Sequence, residues 1–121
     1  MEVVAVVGAS KDPSRYSYKA LEMLVNHGHK PIPVNPHEEH IQGLRVVHGL
    51  RDLIGQKIDT VTIYVNPSIS SLLETDLITL RPRRVIFNPG AENQKLSEVL
   101  LKNGVKTENA CTLVLLQTGQ Y

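Results

Sequence analysis

Tryptophan is absent, and Phe87 with four tyrosines supplies all the aromatic content. Single-stranded nucleic acids are held largely on aromatic stacking platforms, so that class of partner is poorly provided for. An excess of charge of one sign is also lacking: 13 basic against 12 acidic side chains leave a net +1. No long-range field then steers the chain toward nucleic acid or an anionic membrane surface. Cys111 is the only cysteine, which excludes an internal disulfide framework. No apolar stretch approaches the ~20 residues needed to span a bilayer. Met1-Glu2 leads straight into a strand-like run, so no signal peptide is expected and a cytoplasmic location is the default expectation. Repeats, low-complexity tracts and linkers are missing as well. What is there is one ordinary globular composition, 121 residues with 41% hydrophobic and 21% charged, long enough for a single buried core spanning residues 1–121.

Short apolar runs alternate with helical patterns, the signature of a parallel sheet with helices on its faces. Val3–Val7 is a continuous β-branched run, as a strand buried on both sides requires. Tyr18–His27 places Ala20, Leu21, Leu24 and Val25 on one helical face, and Gly28 stops it. Ile32–Asn35 is a second strand, and Pro31 and Pro33 mark it as an edge or a strand start. Leu44–Val47 is a candidate extra strand and Leu50–Ile54 a helical turn. Asp59–Val65 is the third main strand. A helix over Pro67–Leu80 follows, capped by Asn66 and started by Pro67. Its spare apolar residues make a homodimer a reasonable expectation. Val85–Phe87, a helix over Lys95–Lys102 and Val105–Glu108 complete the pattern; periodicity leaves Cys111–Leu116 open between strand and helical turn. The expected fold is a single α/β, Rossmann-like three-layer domain with a mostly parallel sheet of about five strands.

In an open parallel sheet, ligands sit beyond the C-terminal ends of the strands. The first such loop, Gly8-Ala9-Ser10 through Arg15 to Ser17-Tyr18, is a strand–loop–helix suited to phosphate. Its glycine admits close approach to the backbone, Ser10 offers a hydroxyl, and Arg15 can pair bidentately with phosphate oxygens. Ser17 is also a candidate helix cap. Position 10 is Ser and position 13 is Pro, with no further glycines, so the dinucleotide fingerprint is not met. Nor does the second strand end in an acidic residue for a ribose hydroxyl; Asn35 stands there. Each of three strands is followed by an Asn-Pro dipeptide: Asn35-Pro36, Asn66-Pro67 and Asn88-Pro89. The residue before proline is held extended, so the chain bends at each rim and the three amides are expected to face one crevice.

Two clusters carry no expected chemistry. His37-Glu38-Glu39-His40 lacks the spacing of a helical zinc-protease motif and reads as a solvated loop. Arg81-Pro82-Arg83-Arg84 precedes the fourth main strand and reads as a solvated corner at the far end of the sheet. No catalytic constellation and no metal site emerge.

Gly8-Ala9-Ser10, Pro13-x-Arg15-x-Ser17-Tyr18, Pro33-Val-Asn35-Pro36, Ile41-x-Gly43 and Ile58-Asp59-x-Val61 occur in that order. Together they resemble the small CoA-binding domain proteins, relatives of the N-terminal domain of the succinyl-CoA synthetase α subunit. The resemblance covers essentially the whole chain. It implies coenzyme A or an acyl-CoA as ligand, with Gly8, Ser10 and Arg15 near the phosphates. Asn35-Pro36, Val65-Asn66-Pro67 and Asn88-Pro89-Gly90 would line the nucleotide and pantetheine path. Many members carry Asp-Arg-Cys where this chain has Asn109-Ala110-Cys111. The synthetases add a phosphorylated histidine on a following domain, which these residues do not include, so binding without obvious catalysis is expected. The alternatives are an NAD- or nucleotide-binding enzyme, a thiol-dependent enzyme using Cys111, and a ligand-free interaction module.

Overall fold

The computed structural model describes all residues, 1–121. Five strands form one fully parallel sheet: β1 (Val3–Val7), β2 (Lys30–Val34), β5 (Thr60–Ile63), β6 (Arg84–Phe87) and β7 (Lys106–Asn109). Their spatial order is β2-β1-β5-β6-β7. The chain first moves from β1 to β2, then returns across β1 to β5, so the winding reverses between β1 and β5. That reversal opens a crevice at the strand ends, where adjacent loops depart in opposite directions. A two-residue hairpin, β3 (His40–Ile41) with β4 (Leu44–Arg45), lies outside the sheet.

Alternation along β1 decides the two cores. Val4 and Val6 face α1 (Tyr16–Asn26) and α5 (Thr112–Gln117), packing with Leu21, Leu24 and Leu116. Ala5 and Val7 face α3 (Glu74–Leu80) and α4 (Gln94–Lys102), in the larger core with Leu77, Phe87 and Leu100. A strand covered on both sides has no polar face to show, which is why Val3–Val7 reads as unbroken β-branched sequence. The two prolines of β2 are tolerated because β2 is an edge. That edge is partly covered: Val47 donates to the Pro33 carbonyl and accepts from the Asn35 N–H, both at 3.0 Å.

Helix α1 begins at Tyr16, two residues before the expected start. It ends as anticipated at Gly28 (φ +82°), where His29 N–H bonds Leu24 and Gly28 N–H bonds Val25. The helix expected over Pro67–Leu80 is interrupted, running as α2 (Pro67–Ser70), a 3₁₀ turn (Ser71–Leu73) and α3. The Asn93 amide donates to the Pro67 carbonyl, Ser70 Oγ and Ser71 Oγ at 2.8–3.3 Å, engaging the first turns from outside. Ile69 and Leu72 are left exposed there. Cys111–Leu116 resolves as helix α5. No helix is long and apolar enough to cross a membrane.

Candidate functional site

At the β1/β5 reversal lies a cleft of about 430 Å³. Gly8, Ala9 and Ser10 form one wall and Asn35-Pro36 the opposite rim. Arg15 and Ser17 come in from the start of α1, and Val65 and Pro89 from the ends of β5 and β6. Nine of the anticipated site residues therefore converge on one space.

The polar groups of the cleft divide into spent and unspent. Gly8 and Ala9 N–H both donate to the Val34 carbonyl at 3.2 Å, so they tie the loop to β2. Gly8 is needed for another neighbour as well. Its φ is +85°, and a Cβ there would stand 2.9 Å from Val65 Cγ1. Close approach to Val65, just past β5, therefore requires glycine here. Beyond it, Ser10 Oγ accepts from Asp12 N–H at 3.0 Å and keeps its own proton to donate. Asp12 in turn accepts from Ser14 N–H and Oγ at 3.0 and 2.8 Å. Those bonds, with Arg15 nearby, hold its carboxyl below the usual range.

The start of α1 is unspent. Arg15 is the N-cap residue, no side chain caps the helix, and the N–H groups of Tyr16, Ser17 and Tyr18 have no backbone acceptor. Ser17 is buried inside the first turn and does not cap. The Arg15 side chain is exposed and engages neither carboxylate nor carbonyl. A helix N-terminus with free donors and an unpaired guanidinium beside it is matched to phosphate.

The three Asn-Pro dipeptides bend the rims, but their amides do not stand free in one crevice. Asn35 donates to the Ala9 carbonyl at 2.8 Å and accepts from His37 and Glu38 N–H, clamping the second loop to the first. Asn66 caps α2 by accepting from Ile69 N–H, and both Asn66 and Pro67 face solvent outside the cleft. Asn88 is buried; it donates to Thr62 Oγ1 at 2.6 Å and accepts from Thr112 N–H at 2.9 Å. Each amide satisfies backbone that the adjacent turn leaves unpaired. Gly90 lies on the outer side of its loop, its N–H bonded to Glu92 at 2.9 Å. Tyr18, one turn into α1 because that helix starts early, packs toward the core instead of lining the cleft.

A second cleft of about 330 Å³ continues from the first, sharing Tyr16, Tyr64 and Pro89 with it. Cys111, Leu113 and Val114 form its far wall, with Asn88 beneath. Of these, the sequence pattern predicts only Asn88 and Pro89 as lining, because periodicity leaves Cys111–Leu116 open between strand and helical turn. Tyr64 belongs to both arms. Its hydroxyl is sealed from solvent, and the neighbouring Thr62 and Thr112 hydroxyls are 2.9 Å from each other, leaving it unbonded. Burial pushes its phenol well above the ordinary value. His37, also missed, completes the rim of the polar arm.

At the opposite end of the sheet, Arg84 is no solvated corner. It donates to Glu108 and to Thr60 Oγ1 at 3.0 and 2.9 Å and to the Tyr121 carbonyl at 3.0 Å. Only 12% of its side chain is exposed. Along the connection after β2, Glu38 pairs with Lys11 and Glu39 with His48.

A doubly wound parallel sheet with a donor-rich, uncapped helix start at its winding reversal defines a Rossmann-like domain. The chain belongs to the CoA binding domain family, whose sequence model matches residues 2–117. It is 28% identical over 117 residues to the uncharacterized protein YneT of Bacillus subtilis, covering 90% of this chain and 86% of that one. Over 63 residues, 51% of this chain, it is 35% identical to the α subunit of an ADP-forming acetate–CoA ligase II of Pyrococcus furiosus. That match covers only 14% of the ligase subunit's length. A crystal structure of an uncharacterized protein superposes with a TM-score of 0.92 at 39% identity, covering 100% of this chain and 98% of that one.

Proposed function

We propose that this protein binds coenzyme A or an acyl-CoA in the strand-end cleft and acts by recognition, in the cytoplasm, without obvious catalysis. One observation carries the reading: Arg15, the free N–H groups of Tyr16 and Ser17 and the Ser10 hydroxyl are unspent, and all four residues line a single space at the winding reversal. These donors match the diphosphate of the ligand, and membership of the CoA binding domain family supports that choice of ligand. Within this reading Gly8, Ala9 and Asn35 hold the loops in place, while Pro36, Val65 and Pro89 supply apolar rim.

The test is thermal unfolding with CoA, acetyl-CoA, NAD and ATP. A ligand at a hundred times its Kd adds about 2.7 kcal/mol, several degrees for a domain of this size. A rise with the CoA species alone is expected. A rise with NAD alone, or with none of the four, removes the reading.

A thiol-dependent acyl transfer is the second reading, favoured by the place of Cys111 on the wall of the second arm. In it the Cys111 thiolate attacks the thioester carbonyl and the CoA thiolate leaves. An acyl-mass adduct on Cys111 after mixing with acetyl-CoA is its mark; an unchanged intact mass eliminates it.

A further inference from the structure

The two arms of the cleft differ in chemistry, and the difference bears on which form of the ligand is held. The polar arm presents unspent donors. The second arm presents hydrocarbon from Tyr64, Pro89, Leu113 and Val114. Its one buried polar side chain, Asn88, already bonds Thr62, the Ile63 carbonyl and Thr112 N–H. The Tyr64 hydroxyl is closed off from the space. Apart from the weakly bonding Cys111 thiol on the wall, the free side-chain hydrogen-bonding groups are on Gln117 and on Tyr16, which is 69% exposed.

A pantetheine arm carries two amides, and burying an amide without partners costs roughly 1–3 kcal/mol each. The depth of the second arm therefore suits an alkyl chain better than pantetheine itself. Pantetheine amides can instead lie along the shared ridge of Tyr16, Tyr64 and Pro89, where water and the Gln117 amide remain in reach. Continuity of the arms through that ridge identifies the occupant as the far end of the same ligand.

Resting on the reading that the polar arm takes CoA, we infer that the apolar arm is an acyl pocket, and that the protein selects acyl-CoA thioesters over free CoA. No bond is made or broken; the selection is hydrophobic. Each buried methylene contributes about fourfold in affinity when fully removed from water. The arm is partly open, since Val114 is 49% exposed, so the gain per methylene is smaller toward the mouth.

The experiment is calorimetric titration of the whole chain with free CoA, acetyl-, butyryl- and hexanoyl-CoA, repeated on Leu113→Gln and Val114→Gln. Both positions leave the helical backbone of α5 intact, and circular dichroism verifies that each variant folds. Affinity is expected to climb with chain length, butyryl-CoA binding about tenfold tighter than free CoA. In either variant that ratio should fall toward one. In Arg15→Ala all four ligands should weaken by a common factor with the ratio kept. Equal affinities for free CoA and butyryl-CoA, or a climb that survives in both variants, overturns the acyl pocket while leaving CoA recognition standing. Failure of all four ligands to bind removes the CoA reading, and the acyl pocket with it.

Discussion

At one end of the sheet Arg84 is surrounded: Glu2, Thr60, Glu108 and the Tyr121 carbonyl take up its donors, and the Tyr121 ring lies 4.3 Å from its guanidinium carbon. At the other end Arg15 stands alone at the start of α1. The same residue type is thus used twice, once saturated and once spare. A buried guanidinium must have its donors matched, since each unpaired charge in a dry site is costly. An exposed one loses little by waiting in water. Saturation marks the N-terminal end of the strands as structural, while the donors at the C-terminal end remain unspent, as the proposed ligand site requires.

Replacing Arg84 tests the saturated end and has the largest expected effect. Arg84→Ala leaves Glu108 and the Tyr121 carbonyl without their partner, while Glu2 keeps Arg83 at 2.9 Å. A loss of about 3 kcal/mol is expected, seen in urea unfolding and as a fall in Tm of roughly 10 °C. A Tm within two degrees of the parent, on the order of experimental scatter, would show that the cluster is decoration.

Gly8→Ala probes the seam between the two kinds of region, because Gly8 bridges β1, β2 and β5 just below the unspent donors. The substitution forces a side chain into φ +85° and a contact of 2.9 Å with Val65 Cγ1. The conformational part alone is about 1–2 kcal/mol. Adding Val65→Ala relieves the contact but not the backbone, so the double variant should recover part of the loss. Full recovery would show that the conformation costs nothing; no recovery would show that the clash does not exist.

Arg15→Ala is the mirror of Arg84→Ala. Stability without ligand should stay within about 0.5 kcal/mol of the parent, as for surface positions generally. The stabilisation that CoA confers should shrink, since a charge-assisted bond contributes about 1.5–3 kcal/mol. If Arg15→Ala unfolds the domain, or binds CoA as the parent does, the contrast between the two arginines collapses.

Much of this arrangement is legible in the chain. Val3–Val7 announces a doubly covered strand, and Gly28 ends α1 with the bonds its position implies. Gly8, Ser10 and Arg15 do share one space. Other features depend on contacts far apart in sequence and leave no local trace. Asn93 hydrogen-bonds a helix more than twenty residues earlier, and nothing within Pro67–Leu80 signals this. Asn35 and Asn88 look like rim amides until the carbonyls and N–H groups they satisfy are in view. The charged Arg84 reads as solvent-facing because its four partners come from four separate stretches. The apolar arm was hidden for another reason: six residues of α5 are too few for a period of 3.6 to declare itself.

The smallest expected effect concerns pH at the saturated end. His29 Nδ1 accepts the Glu2 N–H at 3.0 Å, and its ring meets Tyr121 at 5.0 Å between centroids. Accepting that bond requires a neutral nitrogen. Desolvation is the main cause that holds the imidazole below its usual value; Glu2 pulls the other way, and the N-terminus, His27 and Arg84 add to the lowering. Folding therefore favours neutral His29, and the unfolded chain binds more protons below the ordinary imidazole value of about 6.5. Stability from this group is fully present above that pH and is lost progressively as pH falls from it toward the lower folded value. Tyr121, whose phenol burial pushes up to about 12, stays neutral throughout and contributes nothing to the slope. Urea unfolding at pH 7.5, 6.5 and 5.5 should show a decline in the parent that is shallower in His29→Asn, whose amide oxygen can still accept from Glu2. Parallel slopes would take the decline away from His29 and leave it a packing residue; a steeper slope in the variant would reverse the sign argued here.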